Sequence, residues 1–179
     1  MHYLHKILVY IPDVDSDMEA LGREEQIDKI RSYAETETER FADDVFDWRE
    51  KSSSAGRWEK EYPVNVLFAS DNVDRFVEEL NEVIESQKID LSIWVSLIKK
   101  RVGTDLNEIV DHLFHNEPDD LSNIGYYLHC IADLLYGEYQ CDSGFYNTHE
   151  YTARLYLRDI EFAKSNPNNW ALVMLDYHA

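Results

Sequence analysis

The sequence predicts an α+β domain in which a small, mostly antiparallel sheet takes strands from both ends of the chain and packs against several helices from the middle. Three observations predict it. Apolar, β-branched runs stand near both ends, at 7–11 and 170–177, and turn signals bound them at Pro12 and at Asn166-Pro167-Asn168-Asn169. Between them, apolar residues recur at helical rather than alternating spacing. The 179 residues, 44% hydrophobic, form one domain over 1–179 with no internal repeat and no dividing linker.

The elements follow in order. Residues 5–11 read as a strand stopped by Pro12. Ser16 and Glu19 fit a capping box for a helix carrying Leu21, Ile27, Ile30 and Ala34 inward to about Phe41. Residues 46–63, with Ser52-Ser53-Ser54, Gly56 and Pro63, show no period and form a loop holding two tryptophans. A second strand covers 64–69, and Asp71 caps an amphipathic helix with Val73, Phe76, Val77, Leu80, Val83 and Ile84 on one face. Three further helices follow. The first carries Leu91, Trp94, Val95 and Ile98 and stops at Gly103. The second is capped by Thr104, with Leu106, Ile109, Val110 and Leu113 inward. The third carries Leu121, Ile124, Leu128, Ile131 and Leu135 and stops near Gly137. Residues 144–147 form a turn or short strand. Thr148 caps a helix reaching Ala163, although the alternation of Tyr151, Ala153, Leu155 and Leu157 fits a strand equally. Residues 170–177 form the closing strand.

Charge is the strongest signal. The formal net charge is −19, and residues 102–153 run for 52 positions without a Lys or Arg while carrying ten Asp or Glu. A surface that serves only solubility intersperses both signs, so this segment predicts contact with something basic. The same charge repels phosphate and argues against direct nucleic-acid binding. The one basic cluster, Lys99-Lys100-Arg101, closes a helix, where cations favour the C-terminal dipole. The first dozen residues lack a secretory core, and no run reaches the roughly 20 apolar residues of a membrane span, so a cytoplasmic protein without a membrane partner is expected. Cys130 and Cys141, eleven apart and without CxxC spacing, are expected as free thiols.

Within that acidic balance, Asp74, Glu78 and Glu82 recur every four residues, about 6 Å apart along a helix. From Asp71 to Glu85 the net charge is five over roughly 22 Å, near the 3.4 Å per charge of one DNA strand. Glu117, Asp119 and Asp120 add a second acidic group. Aromatics accompany the acids, and Tyr139 and Tyr146, in the connection after the last central helix, are expected to be exposed beside the carboxylates, where they suit an arginine-rich partner. A solvated face on an acidic protein explains the same carboxylates. Glu108, His112 and His115 have the helical spacing to share a metal ion, although they lack the HExxH order, and an exposed acidic helix explains them equally. No cofactor is expected, because no P-loop, GxGxxG, GxSxG or paired-cysteine zinc pattern occurs.

Phe46-Asp47-Trp48, Ala55-Gly56-Arg57-Trp58, Phe145-Tyr146 and the ending 170–178 resemble a loose group of uncharacterised bacterial and phage-borne proteins. That group carries an Asp-Trp … Gly-Gly-Arg-Trp stretch and a C-terminal Trp-Leu-Val … Asp-aromatic-His strand; Ala55 stands here where its first glycine would. The resemblance implies that these fragments meet in one fold and brings no activity with it. On that basis Asp47, Arg57, Asp176 and His178 come together. Asp176 and His178 share a strand face, so an acid/base or hydrolytic site is one reading, and an Arg57 ion pair pinning the loop to the sheet is another.

The function expected from all this is non-enzymatic: an acidic protein that binds a basic surface of a partner protein. Its sharpest form is a phage or mobile-element DNA mimic that inhibits a restriction or CRISPR-type nuclease. The alternatives are a small hydrolase or nuclease using Asp176, His178 and Arg57, and an acidic housekeeping domain.

Overall fold

The computed structural model describes residues 1–51, 53–102, 107 and 118–179. Five strands form one mixed sheet: β1 His2–Tyr10, β2 Trp48–Arg49, β3 Val66–Phe68, β4 Phe145–Asn147 and β5 Trp170–His178. The order is β2-β5-β1-β4, with β3 beside β2 on the same edge of β5. β5 is antiparallel to β1 from Tyr10↔Trp170 to His2↔His178 and antiparallel to β2 and β3, while β4 lies parallel to β1. Flanked on both edges and covered on both faces, β5 is a near-continuous apolar run.

Alternation along the strands separates two cores. Ile7, Val9, Val173, Leu175 and Tyr177 face α2, Arg23–Glu39, whose Ile30 and Ala34 are buried. Leu8, Leu172 and Met174 face Phe76, Leu80 and Ile84 of α3, Val73–Val102, and Ile160 and Ala163 of α5, Leu157–Ser165. α4, Pro118–Tyr136, packs along α3 beyond the sheet through Ile98 and Ile124. A single turn, α1 at Ile11–Val14, follows β1.

Several local expectations are overturned. The Ser16–Glu19 box does not open α2. The chain turns instead through Met18–Ala20, Gly22 precedes the helix, and Gln26 Nε2 donates to the Met18 and Leu21 carbonyls, satisfying that turn from inside the helix. The cap of α3 is Asn72, whose Oδ1 accepts the Arg75 N–H at 3.0 Å, because Asp71 is taken by Arg23. The helices expected around Phe76 and Trp94 are one element of 30 residues: no Gly or Pro interrupts it, and both apolar stripes share one phase. The helix expected after Thr104 lies outside the described residues.

Thr148 caps nothing, since its N–H and Oγ1 both donate to the Leu8 carbonyl at the sheet edge. α5 starts nine residues later, where the Asp159 carboxylate accepts the Tyr156 N–H at 2.9 Å. Residues 153–155 are neither helix nor strand because Gln87 serves them as a side-chain ladder: its Nε2 donates to Ala153 O and its Oε1 accepts the Leu155 N–H. α4 ends before Gly137 (φ +77°), where a Cβ would fall 1.8 Å from Thr152 Oγ1.

Candidate interaction site: an acidic cleft between α3 and α4

A cleft of about 350 Å³ opens between the second half of α3, the middle of α4 and the connection 138–143. α3 supplies Asp90 and Trp94, α4 supplies Tyr126, His129, Cys130 and Asp133, and the connection supplies Glu138, Cys141 and Asp142. Among the described residues no Lys or Arg lines it. Burial, then the neighbouring Asp142 charge, holds the Asp90 carboxyl above the usual carboxylate range. The same two causes push up the Cys141 thiol. His129 Nε2 lies 3.2 Å from Asp133 Oδ2. Both cysteines are free and half-buried.

The connection is held rigidly from beneath. His5 Nε2 donates to the Cys141 carbonyl at 3.0 Å, so Nδ1 is the acceptor and takes the Tyr139 hydroxyl at 2.6 Å. Burial lowers the His5 imidazole from 6.5 to about 4, against the smaller effect of the Cys141 carbonyl, and the ring is therefore neutral. Tyr177 continues the chain by donating to Thr38 Oγ1 at 2.6 Å. A histidine inside an otherwise apolar strand was the one sequence signal of this buried network.

The expected exposure of Tyr139 and Tyr146 is therefore incorrect: they are 6% and 2% exposed. Their rings pack on each other and on Phe41, and the Tyr146 hydroxyl accepts from Arg40, so the connection turns its aromatics into the core. The exposed tyrosines are Tyr126, Tyr136 and Tyr151.

Asp74, Glu78 and Glu82 do lie on the exposed face of α3. The charge density read from the sequence does not survive folding, however. Asp71 pairs with Arg23, Glu79 and Glu82 with Lys6, and Glu85 with Lys88, leaving Asp74 and Glu78 without an ion pair among the described residues. Elsewhere Lys29, Arg31, Arg40 and Arg49 are likewise engaged by neighbouring carboxylates. These cations are thus engaged away from the cleft, and Asp90, Glu138 and Asp142 at the cleft have no ion pair among the described residues. Asp119 and Asp120 fall in the first turn of α4; Glu117, Glu108, His112 and His115 lie outside the described residues. Among the described residues no group of His, Cys, Asp and Glu could hold a metal ion.

The fragments holding Asp47, Arg57, Asp176 and His178 do meet, at the end of the sheet, but with different partners from those expected. The buried Asp176 carboxylate binds His2 Nδ1 at 2.8 Å and the backbone N–H of Arg57 at 2.9 Å. Gly56 (φ +55°) makes this approach, since a Cβ there would stand 2.3 Å from Asp176 Oδ2. The Arg57 guanidinium stays outside, exposed to solvent. His178 stacks on Trp48 at 5.3 Å and 9°, with Nδ1 3.3 Å from Asp47 Oδ2 and outside hydrogen-bond geometry. Both Asp176 oxygens are occupied, and what the group achieves is a clasp tying β1, β5 and the loop together. His2 was missed because only strand register brings it to Asp176.

The fold is α+β, and its cleft between α3 and α4 is acidic and partly aromatic. Compared with known proteins, the chain matches no family model, no curated protein and no solved structure. Among the described residues no helix is long and apolar enough to cross a membrane.

Proposed function

We propose that this protein is a non-enzymatic interaction module whose acidic cleft between α3 and α4 docks a basic surface of a partner protein. The observation that carries the reading is a concave site lined by Asp90, Asp133, Glu138 and Asp142, with no Lys or Arg among its described lining residues. Trp94 and Tyr126 on the walls add ring faces that favour a guanidinium over an ammonium group. The sharpest form of the proposal is an inhibitor that occludes the nucleic-acid groove of a restriction or CRISPR-type nuclease, with carboxylates in place of phosphates. Glu82 shares Lys6 with Glu79 while Asp74 and Glu78 keep no ion pair among the described residues, so that form of the proposal rests on the cleft first and on the stripe second.

The test uses fluorescent arginine-rich and lysine-rich peptides of equal charge, with wild type and the triple variant Asp90→Asn/Glu138→Gln/Asp142→Asn, at low and high salt. Wild type should prefer the arginine peptide, and binding should weaken with salt. Exposed ion pairs contribute about 0.2–1 kcal/mol each, so the triple variant should bind roughly ten-fold more weakly. Equal binding by both proteins would end the proposal. Against a nuclease recovered from the native host, inhibition that added DNA does not relieve would exclude occlusion of the groove.

A further inference from the structure

The face of α3 turned away from the cleft carries a second pattern. Glu82, Glu85, Ile89, Ser92, Ser96 and Lys99 recur at alternating steps of three and four residues, the spacing at which two helices stay in contact along their length. The seam extends about 25 Å at 1.5 Å per residue. It is not covered: Ile89 is 58% and Ile93 49% exposed, and Lys99 and Lys100 are exposed with no ion pair among the described residues. Along the helix it runs from acidic, through apolar and small, to basic.

We infer that this seam is a homodimer interface in which α3 packs antiparallel on α3 of a second copy of this chain. The order of residues selects the occupant, because it is complementary to itself only when reversed. With the two-fold axis between positions 90 and 91, Glu82 faces Lys99 of the second copy, Glu85 faces Ser96, and Ile89 faces Ser92. Each of these contacts occurs twice. A large side chain then meets a small one at the centre, which lets the axes approach closely, and opposite charges meet at both ends. Parallel pairing would instead set Glu82 against Glu82 and Lys99 against Lys99. Antiparallel helices also place opposite dipole ends together. The acidic cleft, on the other side of α3, stays open in the dimer.

The test is the molar mass of the full chain by light scattering and sedimentation between 1 and 100 µM. Wild type should reach the dimer mass within this range. Ile89→Asp should be monomeric throughout, with an unchanged helical circular dichroism signal because the residue is exposed. Lys99→Glu should weaken dimerisation at least ten-fold, while Lys99→Arg should leave it within about two-fold, a distinction that a merely apolar contact would not make. A monomeric wild type at 100 µM overturns the inference. So does a dimer that survives Ile89→Asp, or one that Lys99→Glu leaves unchanged. The cleft proposal is untouched by any of these results, since its peptides bind a monomer or a dimer alike.

Discussion

In the sheet body, β5 is buried at eight consecutive positions, and even its polar residue Asp176 has both carboxylate oxygens bonded. In the arm made by the second half of α3 and by α4, Ile89, Ile93, Leu128, Leu135 and Tyr136 face solvent, and Asp90, Glu138 and Asp142 of the cleft have no ion pair among the described residues. The body pairs most of its buried polar groups from within the chain, although Arg49 Nε, Asn65 Nδ2, Asn147 Nδ2 and His178 Nδ1 are buried without a hydrogen-bond partner among the described residues. The arm sets exposed apolar side chains beside carboxylates without an ion pair among the described residues, and the proposed docking rests on that combination. Stability and association should therefore be separable by mutation.

The largest effect that could break this division is in the core. Leu172→Ala, at a fully buried site facing α3 and α5, should destabilise by about 2–5 kcal/mol in denaturant unfolding. Ile89→Ala in the arm should change stability by no more than about 0.5 kcal/mol. Comparable losses at the two sites would show that the arm is part of the cooperative core.

A pH titration sharpens the boundary, because His5 joins the sheet to the cleft. Its folded value, about 4, lies below the ordinary 6.5, so between those values the unfolded chain binds the extra proton. The contribution of His5 is complete above pH 6.5 and is lost as pH falls toward 4, amounting to about 3 kcal/mol. Nuclear magnetic resonance should find the His5 ring neutral down to about pH 4. A midpoint near 6.5 would mean that the connection 138–143 is not anchored from below.

The smallest effect has the opposite sign. Burial and Asp142 raise the Asp90 carboxyl, so its ionisation at neutral pH costs the folded state. Asp90→Asn should therefore raise the melting temperature slightly while weakening binding of the arginine peptide. A fall in melting temperature would place Asp90 in a stabilising pair.

Much of this molecule was legible from sequence. The strands at both ends, the amphipathic stripe of α3 and the base-free acidic segment all appear as local periodicity or composition, which a chain carries wherever it folds, whereas the stretch 46–63, expected as a loop, supplies β2 at Trp48–Arg49 only through its pairing with β5. The tertiary structure alone decided how the polar groups are used. Register sets His2 across from His178 and so diagonal to Asp176, a partner 174 residues away. Folding also brought Lys6 to Glu79 and Glu82, which offsets one charge at the end of a stripe that looked continuous in sequence, and turned Tyr139 and Tyr146 inward onto His5 and Arg40. Periodicity states which face of an element is apolar; whether a carboxylate or hydroxyl on it finds a partner depends on elements distant in the chain, and only their packing settles that.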